Sequence, residues 1–231
     1  MSKEAIVLAG GFGTRLQSVL GDIPKPMAPI GDVPFLEYLL DYLFSEGIEH
    51  IVLSVGYRYE TIMDYFGKSF KGLKLSYCIE KTPLGTGGGI KESLSFCDSD
   101  QVFVINGDTY FDVPLDVMRN HSNQKDLLLA VCPIKNSDRY GSVELDERGR
   151  VLKFKEKQFL EFSLINGGIY LMNCKIFDGK DVVDKFSFEK DIMEAYVDKS
   201  NIYGMVFENY FVDIGVPEDY ARAQIELPQL L

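Results

Sequence analysis

The chain opens on an apolar run, Ala5-Ile6-Val7-Leu8-Ala9, short and continuous enough to predict a strand buried on both faces. Gly10, Gly11 and Gly13 follow. Glycine suits a sharp turn because it accepts positive φ and leaves its N–H uncovered, and from Thr14 the chain is expected to enter a helix. Apolar Phe35, Leu36, Leu39, Leu40 and Leu43 then recur at helical spacing. They predict a helix over 32–47, with Pro34 in the first turn and Gly47 as its stop. Strands are expected over 51–55 and 73–80, with a short helix at 61–66 between them. Strand, helix, strand, helix, strand is the pattern of a parallel sheet with right-handed crossovers. The stretch 82–89, dense in proline and glycine, reads as a loop leading into a helix that ends at 96. Another apolar strand is expected over 101–106.

From Asp126 the pattern changes. A strand over 127–133 precedes two more, over 140–145 and 151–155, which flank Asp146-Glu147-Arg148-Gly149-Arg150 as a hairpin. Asn166-Gly167-Gly168-Ile169-Tyr170 is expected to open a further strand. An amphipathic helix runs over 188–198, with Ile192, Met193 and Tyr196 on its apolar side. A strand over 210–212 ends at Asp213, and Pro217 starts a final helix with Glu218 and Asp219 near its positive end. The fold class predicted is α/β: a Rossmann-like, mixed but mostly parallel central sheet with helices on both faces. The 231 residues form one catalytic domain in this reading, with halves of about 1–125 and 126–231.

Composition narrows the function. Hydrophobic residues make up 46% and charged residues 26%, an ordinary globular balance. A net charge of −11 argues against nucleic-acid and anionic-membrane partners. Four cysteines without a C-x-x-C pair, and only two histidines, exclude zinc-finger spacing and suit buried thiols in a reducing compartment. No signal peptide and no spanning helix is expected, so the reading is a cytoplasmic protein.

Strand, glycine turn and helix entry together make a cradle for phosphate oxygens, beside which Arg15 and Lys25 add full positive charge. The dinucleotide fingerprint fits Gly11-Phe12-Gly13 but meets Leu16 where its third glycine belongs. The P-loop fails as well, since Gly67-Lys68-Ser69 has Ile62 at the first glycine position. A different pattern does fit. Leu8-Ala9-Gly10-Gly11 with Gly13-Thr14-Arg15-Leu16, followed by Pro24-Lys25-Pro26-Met27, resembles the signature of the sugar-1-phosphate nucleotidylyltransferases. The resemblance extends through Pro83-Leu84-Gly85-Thr86-Gly87-Gly88, Asn106-Gly107-Asp108, Glu156-Lys157, Asn166-Gly167-Gly168 and Asp213-Ile214-Gly215. Within the family, residues 33–43 most resemble the D-glycero-α-D-manno-heptose 1-phosphate guanylyltransferases.

The resemblance implies the nucleotide-diphospho-sugar transferase fold. Its reaction joins a sugar 1-phosphate to a nucleotide, here GTP and the manno-heptose phosphate, to supply a bacterial surface glycan. It implies nucleotide binding by Leu8, Ala9, Gly10, Gly11, Gly13, Thr14, Arg15, Lys25, Pro83, Gly85, Thr86 and Asp108. Guanine offers N–H donors, so its reader needs acceptors, and Glu80 is the nearest carboxylate to the 82–89 loop. Sugar-phosphate binding falls to Asn106, Gly107, Tyr140, Gly141, Glu156, Lys157, Asn166 and Gly168. Arg15 and Lys25 are implied as the catalytic cations, and Asp108 with Asp213 as the Mg2+ ligands. Many relatives carry a hexapeptide-repeat domain, which is not expected here, and the second half offers surfaces for a homodimer. Mannose 1-phosphate guanylyl transfer, another nucleotide, or a non-catalytic sugar-nucleotide sensor are the alternatives. The presence of Arg15, Lys25, Asp108 and Asp213 together argues against the sensor.

Overall fold

A computed structural model describes residues 2–11, 14–156 and 158–230. The strand Glu4–Ala9 lies at the centre of a sheet, parallel to His50–Val55 on one side and to Gln101–Asn106 on the other. Leu73–Ile79 continues the parallel set beyond His50–Val55. Such a strand is covered on both faces, which is why it reads as an unbroken apolar run. Its side chains still alternate: Ala5 and Val7 enter one core and Ile6 the other.

The first core is filled by the helix Phe35–Ser45 and by Ile62, Phe66, Leu115 and Met118 from two shorter helices. Gly47, at φ +75°, ends the long helix. Its N–H donates to the Phe44 carbonyl and that of Ile48 to Leu43, which satisfies the last turn. The second core takes Ile90 from the helix Gly85–Ser93 together with Phe186, Phe188 and Ile192.

The two halves share one ten-stranded sheet among the described residues. The strand Leu160–Asn173 pairs antiparallel with Gln101–Asn106 through Ile169–Asn173, and along most of its length with Leu127–Ser137. Ile202–Val206 runs parallel to Leu127–Ser137. The predicted hairpin is present as Ser142–Leu145 and Val151–Lys155. The final helix, Pro217–Glu226, starts on its proline. All four cysteines are free thiols; burial pushes those of Cys132 and Cys174 up to about 11 and that of Cys97 up to about 12.

Four elements differ from the sequence-based expectation. The glycines at 85–89 lie inside a helix, not in a loop before one. Asn166 falls in mid-strand, at a shift of register between Asn166 and Tyr170, because Gly168 takes φ +75° and kinks the strand there. The expected helix over 188–198 is a wide-turned one, Phe188–Glu194, in which the Ala195 N–H reaches the Lys190 carbonyl at 3.2 Å. The helix expected over 32–47 is shorter, Phe35–Ser45, because Pro34 lies ahead of its first turn in the two-residue strand Val33–Pro34, paired with Pro29–Ile30.

Candidate active site

Asp108 is set at the carboxyl end of Gln101–Asn106, the edge where open α/β sheets bind ligands. Gly107 makes that placement possible. Its N–H donates to the Leu8 carbonyl at 3.0 Å, and a Cβ there would stand 2.5 Å from the same oxygen. Only glycine lets the two strand ends meet so closely. Beyond Asp108 the short strand Thr109–Phe111 pairs antiparallel with Phe211–Asp213, placing Asp213 opposite Thr109. The Ile214 N–H donates to the Asp108 carbonyl at 3.0 Å and ties the ribbon down. Two carboxylates a hundred positions apart in sequence are thereby brought together.

Lys25 joins them. It sits in the turn Lys25–Met27, with its ammonium 2.6 Å from Asp108 Oδ2 and 3.9 Å from Asp213 Oδ1. The lysine side chain is 12% exposed and the Asp213 side chain 23%, so much of their solvation is gone. Burial raises the Asp213 carboxyl above its ordinary range, and the neighbouring Asp108 charge raises it further. Lys25, the Gly215 N–H at 2.7 Å and Arg139 pull the other way without cancelling this. Two carboxylates against one ammonium leave the cluster with an excess of negative charge. That is an all-oxygen donor set fit for a hard divalent cation, which takes one or two carboxylates plus substrate phosphates and retained water. Among the described residues no group of three or more acidic, histidine or cysteine side chains is placed to hold a metal.

A cavity of about 340 Å³ opens beside this cluster. Leu8, Ala9, Gly10 and Gly11 form one wall, Lys25 and Pro26 another, and Asn106, Gly107 and Asp108 a third. Glu80, Pro83, Gly85, Thr86 and Glu189 complete it. Glu80 is fixed in place, accepting from Ser54 Oγ at 2.9 Å and from the Leu84 N–H at 3.0 Å. A Cβ on Gly10 would stand 2.8 Å from Glu80 Oε1, and one on Gly89 would stand 2.9 Å from it.

The structure does not gather every residue singled out from sequence into this cavity. Arg15 is exposed on the turn after the glycine loop. Asn166 and Gly168 stand behind the cavity wall: Asn166 donates to the Tyr170 hydroxyl at 2.7 Å, and Gly168 lies against Asn106. Tyr140 lines a second cavity of about 900 Å³ with Arg139, Phe211 and Asp219, and Gly141 packs on the Lys155 carbonyl. Glu156 is exposed just past its strand. Gly13 and Lys157 lie outside the described residues, as does the side chain of Thr14. Pro26 and Glu189 line the cavity but were not among the sequence candidates. Pro26 stood inside a quoted motif, whereas Glu189 looked like the polar face of an amphipathic helix.

A sequence profile of the nucleotidyl transferase family matches residues 4–229. The chain belongs to that family. Two relatives within it are D-glycero-alpha-D-manno-heptose 1-phosphate guanylyltransferases. The one from Campylobacter jejuni is 49% identical over 94% of this chain and 96% of its own. The one from Aneurinibacillus thermoaerophilus is 46% identical over 97% and 98%. Among solved structures, HddC from Yersinia pseudotuberculosis superposes with a TM-score of 0.86 at 38% identity, over 96% of this chain and 97% of that one. The Yersinia protein has also been solved in complex with GMP-PN, with the same overlap. These matches make the chain a nucleotidyltransferase of the nucleotide-diphospho-sugar transferase fold, as the motif resemblance implied. Among the described residues no helix is long and apolar enough to cross a membrane.

Proposed function

We propose that the protein transfers a guanylyl group from GTP to D-glycero-α-D-manno-heptose 1-phosphate, giving GDP-heptose and pyrophosphate. The observation that carries this reading is the ammonium of Lys25 held between Asp108 and Asp213 at the mouth of a glycine-walled cavity. The names of the relatives 49% and 46% identical support the choice of base and sugar.

The chemistry asks little of the protein in proton transfer. A phosphate oxygen of the sugar 1-phosphate is already an anion; it attacks the α-phosphorus of GTP as the bond to the β-phosphate oxygen breaks, and pyrophosphate leaves with that electron pair. The barrier lies in bringing two polyanions together in line, so catalysis is positioning and charge neutralisation. In a chain of net charge −11 that work must be local. Gly10 and Gly11 line the nucleotide side without a side chain in the way. Lys25 neutralises charge where the two phosphates meet, and Asp108 keeps its ammonium aimed there. Mg2+ held by Asp108 and Asp213 would supply further charge neutralisation on the phosphates. In the same reading Arg15 meets the departing pyrophosphate, and Glu156 and Lys157 hold the sugar phosphate. Pairing of two copies through the second half, where Leu152, Phe159 and Phe162 are exposed, also belongs to this proposal.

The test is pyrophosphate release by purified protein with Mg2+, across the four common nucleoside triphosphates and heptose, mannose and glucose 1-phosphates. Release with GTP and the manno-heptose phosphate is the expected result. Release with another pair keeps the mechanism and discards the specificity. No release with any pair, while sugar nucleotides still bind, returns the sensor alternative.

A further inference from the structure

Glu189 belongs to the second half, on the helix Phe188–Glu194, yet it lines a cavity whose other walls come from the first half. Two hydroxyls fix it there. Thr86 Oγ1 donates to Glu189 Oε2 at 2.7 Å, and Ser187 Oγ donates to the same oxygen at 2.9 Å. Thr86 is in turn held by the Phe188 N–H, which donates to its Oγ1 at 2.9 Å. Both donors are spent on Oε2, and among the described residues none donates to Oε1. A carboxylate accepts on both oxygens. Glu189 is therefore an oriented acceptor with one oxygen to spare at a cavity wall.

Phosphate cannot be its partner, because two anions repel. Among the groups the two substrates carry, that leaves a neutral donor, a hydroxyl or an N–H. Location separates the two. Phe188, the residue before Glu189, packs edge-on against the buried Tyr170 with ring centroids 5.5 Å apart, and the Tyr170 hydroxyl receives the Asn166 amide. Asn166 also accepts from the Gly168 N–H at 3.1 Å, and Gly168 rests on Asn106, which lines the cavity beside Asp108. Glu189 therefore lines the cavity beside the part of the chain that carries Asn166. Glu80, the other cavity glutamate, has both oxygens engaged, Oε1 by the Ser54 hydroxyl and Oε2 by the Leu84 N–H.

Building on the guanylyl-transfer reading, we propose that Glu189 recognises the acceptor: its Oε1 accepts from a hydroxyl of the sugar, with Thr86 and Ser187 holding it in that direction. Glu189→Gln separates this role from a structural one. The glutamine carbonyl can keep the bonds from Thr86 and Ser187 while its amide turns N–H donors to the cavity. The measurement is the pair of KM values, one for each substrate, using whichever nucleotide and sugar phosphate the wild-type enzyme turns over. The sugar-phosphate KM is expected to rise roughly 10- to 100-fold, the worth of a hydrogen bond to a charged group, with the nucleotide KM within about twofold. Ser187→Ala, which removes the orienting hydroxyl that lies outside the nucleotide set, should raise the same KM by a smaller factor. An unchanged sugar-phosphate KM overturns the proposal. So does an equal rise in both KM values, which would assign Glu189 to the nucleotide or to the fold. Because the assay follows the wild type's own substrates, a wrong base or sugar overturns the substrate reading alone, and the KM split still decides Glu189.

Discussion

At Lys25 a single ammonium answers two carboxylates, and its removal is the sharpest test of the site. Lys25→Ala leaves Asp108 without its 2.6 Å partner and takes away a charge that holds the Asp213 carboxyl down. Loss of a pre-aimed charge at the transition state typically costs about 100- to 1000-fold in kcat. A drop of that size is expected in steady-state turnover at saturating substrates, and a variant within threefold of wild type would remove Lys25 from the mechanism. Residues differ in how far they can be read without coordinates. Asp108 and Asp213 are legible because each lies at or just past a strand end, inside a motif quoted from the sequence. Glu4 is not. Burial tends to raise its carboxyl, but hydrogen bonds from Ser99, His50 and Asp98 win and hold it below its ordinary range. None of those partners is near it in sequence, so nothing local marks it as anything but a surface charge.

The glycine-rich helix Gly85–Ser93 shows what an element owes to its neighbours. Glycine is a poor helix former, by about 1 kcal/mol relative to alanine, so the stretch reads as a loop. The segment 184–188 explains the glycines. Phe186 exchanges main-chain hydrogen bonds with Leu84 and Gly87, both at 3.0 Å. A Cβ at Gly85 would stand 2.5 Å from the Phe186 carbonyl oxygen; one at Gly87 would run into the Phe186 ring, and one at Gly88 into the Asp184 carbonyl. Gly85 also needs φ +72°, which a Cβ penalises by roughly 1–2 kcal/mol. Since a backbone carbonyl cannot swing aside as a side chain can, Gly85→Ala is expected to cost about 2–4 kcal/mol. At about 2–4 °C per kcal/mol for a chain of this size, the melting temperature should fall by several degrees. The nucleotide KM should rise as well, because Gly85 and Thr86 move with the cavity wall. An unshifted melting curve would show that the segment 184–188 gives way freely.

Across the whole molecule the strand Leu160–Asn173 decides the mechanics. It is bonded to the first half through Gln101–Asn106 and to the second through Leu127–Ser137, so unfolding of either half strips a paired neighbour from the sheet of the other. Thermal unfolding should therefore be a single transition by both far-ultraviolet dichroism and calorimetry. GTP with Mg2+ at a hundred times its dissociation constant should add about 2.7 kcal/mol and raise that transition by roughly 5–10 °C. Two resolved transitions, or a shift confined to one of them, would contradict this coupling.

The sequence by itself determined the α/β class, the parallel centre and the family, because these rest on local signals: apolar runs, helical spacing, and motifs whose glycines and charges lie within a few positions of each other. It also carried the correct ends of the long helix at Gly47 and of the final helix at Pro217, where backbone preference and capping act within one turn. Only the tertiary structure decided which charges meet. The closeness of Asp213 to Asp108 follows from strand pairing, and the presence of Glu189 in the cavity follows from close packing on glycines a hundred residues earlier in the chain. Such contacts join residues that share no local pattern, and a carboxylate at the cavity wall has the same chemistry in sequence as one in water.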